Sequence, residues 1–165
     1  MSIDANLFRI QTPQVRLIRK EKVRVLRMVR ALIPFAEVKE IGSTAVAGVI
    51  GKQDLDVLIK VDNNNFGLAK RILDEFFSRN GTQLSNENIQ GYRVDSKADI
   101  SLQLVVKGSP YDCFDDFLTA LSQDASLRAT YNHLKKQWDG KSMQEYRTAK
   151  GHFIEEVLAK ILREK

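Results

Sequence analysis

IGSTAVAGVIGKQDLDVLIK, residues 41–60, joins two apolar segments through a loop of small residues. An apolar run ending at Ile41 meets Gly42-Ser43-Thr44, and ten residues then separate Ser43 from Asp54-Leu55-Asp56-Val57. In that second segment carboxylates alternate with apolar residues at the period of a half-buried strand, which points Asp54 and Asp56 to one side of a sheet. Two like charges so close repel unless a cation compensates them, and hard oxygen ligands suit Mg²⁺. A glycine followed by hydroxyl residues at a turn lets backbone N–H groups approach a phosphate, the more so where a helix begins. The stretch therefore predicts a phosphate cradle and a pair of metal-binding carboxylates on consecutive elements. Lys52, just ahead of the acidic strand, fits either a phosphate contact or a solvated turn.

The rest of the composition bounds the class. At 165 residues the chain is long enough for one domain with a sizeable core. Its 43% hydrophobic and 28% charged residues describe a globular protein and exclude a disordered one. No apolar run approaches the ~20 residues that span a bilayer. The opening MSIDANLFRIQTP lacks a basic region followed by an apolar core, so a cytoplasmic location without a secretory signal is expected. Cys113 is the sole cysteine, which excludes an internal disulfide and a cysteine-based zinc site. The net charge of +5 is concentrated early: residues 1–30 hold eight Lys or Arg against Asp4 and Glu21, leaving −1 for the remainder. Such a segment suits nucleic acid or a polyphosphate, although a solvated helix face is the favoured reading.

In chain order, Thr12-Pro13 reads as a helix start, with apolar residues from Val15 to Ile33 at helical spacing until Pro34. Phe35 to Ile41 reads as a first strand, and Thr44 to Val49 as a short helical turn. Ala69, Ile72, Leu73, Phe76 and Phe77 predict an amphipathic helix ending at Asn80-Gly81. Tyr92 to Val94 and Ile100 to Val106 predict an antiparallel hairpin around Ser96-Lys97, with Asp99, Ser101 and Gln103 on one face. The last third is helical: one helix opened by Ser109-Pro110, one carrying Tyr131 and Trp138, and one capped by Ser142 with Glu145. His133 and His152, on separate helices, read as structural. The expected fold is α/β, a small mixed sheet flanked by helices with a helical C-terminal part. Residues 1–165 are expected to form one domain, with 1–34 as its basic N-terminal helix and 109–165 as its C-terminal helices.

Gly42-Ser43, the spacer and Asp54-x-Asp56 resemble the nucleotidyltransferase superfamily, the polymerase-beta-like fold. Ile41 to Val46 with Gly48 and Lys52 is similar, more narrowly, to the GrpB family. Phe114 to Leu118, Tyr131, Leu134-Lys135, Tyr146, Lys150 and Phe153-Ile154 continue the match. The chain departs from that family's pattern at Ala47, where proline is common, and at Asp54, where an apolar residue is usual. It departs again at Ser101-Leu102-Gln103, where histidines are expected. The resemblance implies Mg²⁺-dependent transfer of a nucleotidyl group from a nucleoside triphosphate such as ATP to an unknown acceptor. Asp54 and Asp56 would hold the metal, with Asp99 as third carboxylate or Gln103 in its place; Gly42, Ser43, Thr44 and Lys52 would hold the nucleotide. It equally admits a nucleotide- or phosphate-binding module without turnover.

Overall fold

The computed structural model describes residues 6–165. Residues 1–5, on which part of the leader expectation rests, lie outside that range. The described residues fall into two compact units. One is built from Gln14–Gly42 and Asp54–Asp112, the other from the described residues up to Pro13 with Ser43–Gln53 and Cys113–Lys165.

The first unit contains helix α1 (Val15–Leu32), strands β1 (Glu37–Ile41) and β2 (Leu55–Val61), helix α2 (Phe66–Phe76), and strands β3 (Ser78–Arg79), β4 (Ile89–Arg93) and β5 (Ile100–Val106). The strands form one mixed sheet in the order β1-β2-β5-β4-β3, in which only β2 and β5 run parallel. Leu55, Val57, Ile59 and Val61 on β2 and Ile100, Leu102, Leu104 and Val106 on β5 point to a single face. There they pack with Ile18, Val25 and Val29 of α1 and with Phe66, Ala69 and Leu73 of α2. The strict alternation of β2 therefore turns Asp56, Leu58 and Lys60 to the face away from both helices.

Local signals set the elements, and tertiary packing sets their ends. α1 begins at Val15 because its hydrogen-bond ladder starts with Ile18 N–H to Gln14 O at 3.0 Å, leaving Thr12 and Pro13 outside the helix. α2 stops at Phe76, short of Asn80-Gly81, because Ser78 and Arg79 pair with Arg93 and Tyr92 as an edge strand. The hairpin of β4 and β5 forms as its alternation predicts, though β4 starts earlier, at Ile89.

Glu21 fastens α1 to the turn between β4 and β5. Its carboxylate accepts from Arg24 Nη2 at 2.6 Å and from Ser96 Oγ at 2.6 Å while the residue is only 7% exposed. The Arg24 bond, then the Ser96 bond, hold the acid down at about 2, against an ordinary 4.5. A depressed carboxylate stabilises the fold above its unfolded value, and that contribution is lost as pH falls from about 4.5 through about 2. Glu21→Gln is expected to lower stability by about 2 kcal/mol at pH 7. The difference in urea midpoint between wild type and variant should narrow below about pH 4.5 and close only below about pH 2.

The second unit contains α3 (Phe114–Gln123), α4 (Ala125–Trp138) and α5 (Met143–Glu164). α3 starts four residues beyond Pro110, because Ser109 to Asp112 form a turn in which Asp112 O-δ2 accepts from Gly108 N–H and Oδ1 meets Lys60 at 2.8 Å. The α5 cap is as the sequence implies, with Ser142 Oγ accepting from Glu145 N–H at 3.3 Å. Phe117, Tyr131 and Phe153 from the three helices meet as rings, Tyr131 stacked on Phe153 at 5.2 Å and Phe117 edge-on to Tyr131 at 5.5 Å. Val46 and Val49, from the loop after Gly42, complete this core. Among the described residues no helix is long and apolar enough to cross a membrane.

Candidate functional site

The carboxylates sit at the loop end of the sheet. β1 pairs antiparallel with β2 so that Ile41 stands opposite Asp56, and β2 pairs with β5 so that Asp56 stands beside Ser101. β4 extends the row, placing Arg93 beside Ser101. Ile41, Asp56, Ser101 and Arg93 thus form one line across four strands on the face opposite the core. Gly42, immediately after Ile41, has φ +79°, a conformation that costs an L-residue but not glycine. A Cβ at Gly42 would lie 2.5 Å from Asp56 Oδ2, so the glycine backbone is pressed against that carboxylate.

Asp54 precedes β2 by one residue, and Gln53 before it also has positive φ, at 62°. Non-glycine residues adopt this conformation rarely, at a cost of order 1 kcal/mol, and such positions cluster at functional sites. Asp99 occupies the matching position one residue before β5, and its carbonyl accepts from Leu55 N–H at 2.8 Å. It is exposed. Gln103, two residues into the strand beyond Ser101, is 9% exposed and pairs with Leu58. Among the described residues no group of three or more His, Cys, Asp or Glu is placed to hold a metal ion. A pair of carboxylates nevertheless fits Mg²⁺, which takes one or two from protein and fills its remaining positions with water and phosphate oxygens.

Ser43, Thr44 and Lys52 belong to the helical unit. The expected helical turn is a single 3₁₀ turn, Ser43–Ala45, too short for a developed helix dipole. α4 holds this loop in shape. Asn132 Nδ2 donates to Gly48 O at 2.7 Å and its Oδ1 accepts from Ile50 N–H at 3.0 Å, while Lys135 Nζ donates to Ile50 O at 2.7 Å. Lys135 is 3% exposed and lies over the Tyr131 ring, 4.4 Å from its centre, so a π-face and a carbonyl offset its desolvation. Ser43 Oγ and Lys135 Nζ converge on Gly51, lying 2.8 and 3.1 Å from the point a Cβ there would occupy.

The structure thus brings Gly42 against Asp56 in one unit and Ser43 toward Lys135 in the other. Lys135 lies in the Leu134-Lys135 stretch that resembles the family, and its local sequence implies no role for it. His133 and His152 are exposed, paired with Gln137 at 3.2 Å and Glu155 at 3.9 Å.

Known proteins share this architecture. The family described as GrpB protein matches residues 14–160. A UPF0157 protein of Vibrio cholerae serotype O1 is 31% identical over 131 residues, covering 79% of this chain and 70% of that protein. The crystal structure of conserved protein GrpB from Enterococcus faecalis superposes with a TM-score of 0.72 over 94% of this chain and 98% of its own, at 18% identity. The Cid1 poly(U) polymerase with MgGTP bound superposes at 0.52 over 78% of this chain, at 18% identity. This chain spans only 44% of that polymerase, and the likeness is one of fold. By its sequence the chain belongs to the GrpB family.

Proposed function

We propose that this chain is a Mg²⁺-dependent nucleotidyltransferase acting on a nucleoside triphosphate such as ATP. The observation that carries the reading is Gly42, held at φ +79° with its backbone against Asp56 Oδ2 on the sheet face away from the core. In the reaction an acceptor oxygen bonds to the α-phosphorus, the bond from that phosphorus to the β-phosphate oxygen breaks, and pyrophosphate leaves. Asp54 and Asp56 would hold Mg²⁺, which when bound supplies charge neutralisation for the triphosphate and the leaving pyrophosphate. Asp99 would take the acceptor's proton at its carboxylate. Gly42, Ser43, Thr44 and Lys52 would position the phosphates.

A second reading, a nucleotide- or phosphate-binding module without turnover, is favoured by the absence of a three-carboxylate group among the described residues. The readings part on one assay, release of pyrophosphate from ATP with Mg²⁺ over a panel of hydroxyl and phosphate acceptors. Release that stops when EDTA is added is the expected result. MgATP binding without release for every acceptor would make the chain a binding module.

A further inference from the structure

We propose that the exposed face of α1 binds the phosphate backbone of a nucleic-acid strand, independently of the chemistry at the carboxylates. α1 carries Arg16, Arg19, Lys20, Lys22, Arg24, Arg27 and Arg30 against one acid, Glu21. Three of these cations are engaged within the unit. Lys22 meets Glu40 and Arg24 meets Glu21, each at 2.6 Å, and Arg30 donates to Val38 O at 2.9 Å. Arg16, Arg19, Lys20 and Arg27 are exposed, and among the described residues none of the four has a carboxylate within ion-pair distance. Helical spacing puts them on the side opposite Ile18, Val25 and Val29, which are buried against the sheet.

The fold thus uses the apolar side of α1 and leaves a stripe of uncompensated positive charge. From Arg16 to Arg27 the stripe rises about 16 Å at 1.5 Å per residue, the length of about five nucleotides of a stacked strand. Val15, Arg16, Arg19, Lys20 and Val23 line a shallow open depression along it. The exposed apolar residues there are Val15 and Val23, at 57% and 53%. They supply neither a ring for base stacking nor the large apolar face that a helix needs to lie in a bilayer. Contact is therefore with phosphates, without base readout, and a polyanionic strand is favoured over a membrane surface. α1 covers the sheet face opposite Asp56, so the stripe is a handle for a polymer and not the place where chemistry occurs.

The test is fluorescence anisotropy of a labelled 20-nucleotide mixed-sequence RNA titrated with the full chain in 50–200 mM KCl. Four neutralised phosphates predict a log–log salt slope of about −3, or binding about 50-fold weaker at the higher salt. The variant Arg16→Gln/Arg19→Gln/Lys20→Gln/Arg27→Gln, with its melting midpoint checked, should bind about 20-fold more weakly or worse at 50 mM KCl, whereas Arg16→Lys/Arg19→Lys/Arg27→Lys should retain binding. The inference is overturned if wild type fails to bind RNA at 50 mM KCl or if the glutamine variant binds as wild type does. It is overturned equally if these cations matter only for phosphatidylserine-containing vesicles.

Discussion

Asp56→Asn is expected to reduce Mg²⁺-dependent pyrophosphate release by about 10³-fold or more, several kcal/mol of barrier, while leaving the fold in place. Asparagine has the shape of aspartate, so the close approach of Gly42 and the pairing of β2 with β1 and β5 survive the exchange. What disappears is one of two formal negative charges, and a lone Asp54 carboxylate is a weak ligand for a cation that dehydrates reluctantly. Stability should stay within about 1 kcal/mol of wild type, because Asp56 is outside the apolar core. Unchanged turnover in the variant would remove Asp56 from the chemistry.

Gly42→Ala should act in two separable ways. A side chain at φ +79° costs about 1–2 kcal/mol of stability. The new Cβ also meets Asp56 Oδ2 at 2.5 Å, and the clash is relieved most cheaply by rotating the carboxylate away. MgATP affinity should therefore fall about 10-fold or more, beyond anything the lost stability accounts for. Gly42→Asn separates the two effects. Asparagine tolerates positive φ, so about 1 kcal/mol of stability should return in a urea melt, while its Cβ still displaces Asp56 and affinity stays low. If Gly42→Ala binds MgATP like wild type, contact with Gly42 does not set the position of Asp56.

What the sequence makes legible is whatever depends on neighbours in the chain. Asp54-x-Asp56 and the apolar residues between them carry the two-residue period of β2, and Gly42 marks the only residue type that fits a positive φ without strain beside a carboxylate. The helical repeats of α1, α4 and α5 are equally local. Element ends are less so: Thr12-Pro13, Asn80-Gly81 and Ser109-Pro110 all carry helix-boundary signals, yet α1 starts only at Val15, the pairing of Ser78-Arg79 with β4 ends α2 early, and the turn held by Asp112 delays α3. Lys135 illustrates the limit. Lys135 and Lys136 are indistinguishable by composition, yet Lys135 is buried with its ammonium on Ile50 O, 85 residues away, and Lys136 is exposed. Asn132 serves the same loop from 84 residues beyond Gly48. Such contacts exist only once α4 has packed on the loop, so no local pattern announces them. Glu21, alone among seven cations on α1, becomes the tie between that helix and Ser96 for the same reason.

If the carboxylates beside Gly42 bind nucleotide through Mg²⁺, as proposed, ATP affinity depends on both the metal and Asp56. Calorimetric titration of ATP into the wild-type chain with Mg²⁺, into the same chain with EDTA, and into Asp56→Asn with Mg²⁺ addresses it directly. Saturable binding is expected in the first case and affinity about 10-fold weaker or worse in the other two. Equal affinity in all three, or no binding with Mg²⁺ present, would contradict it.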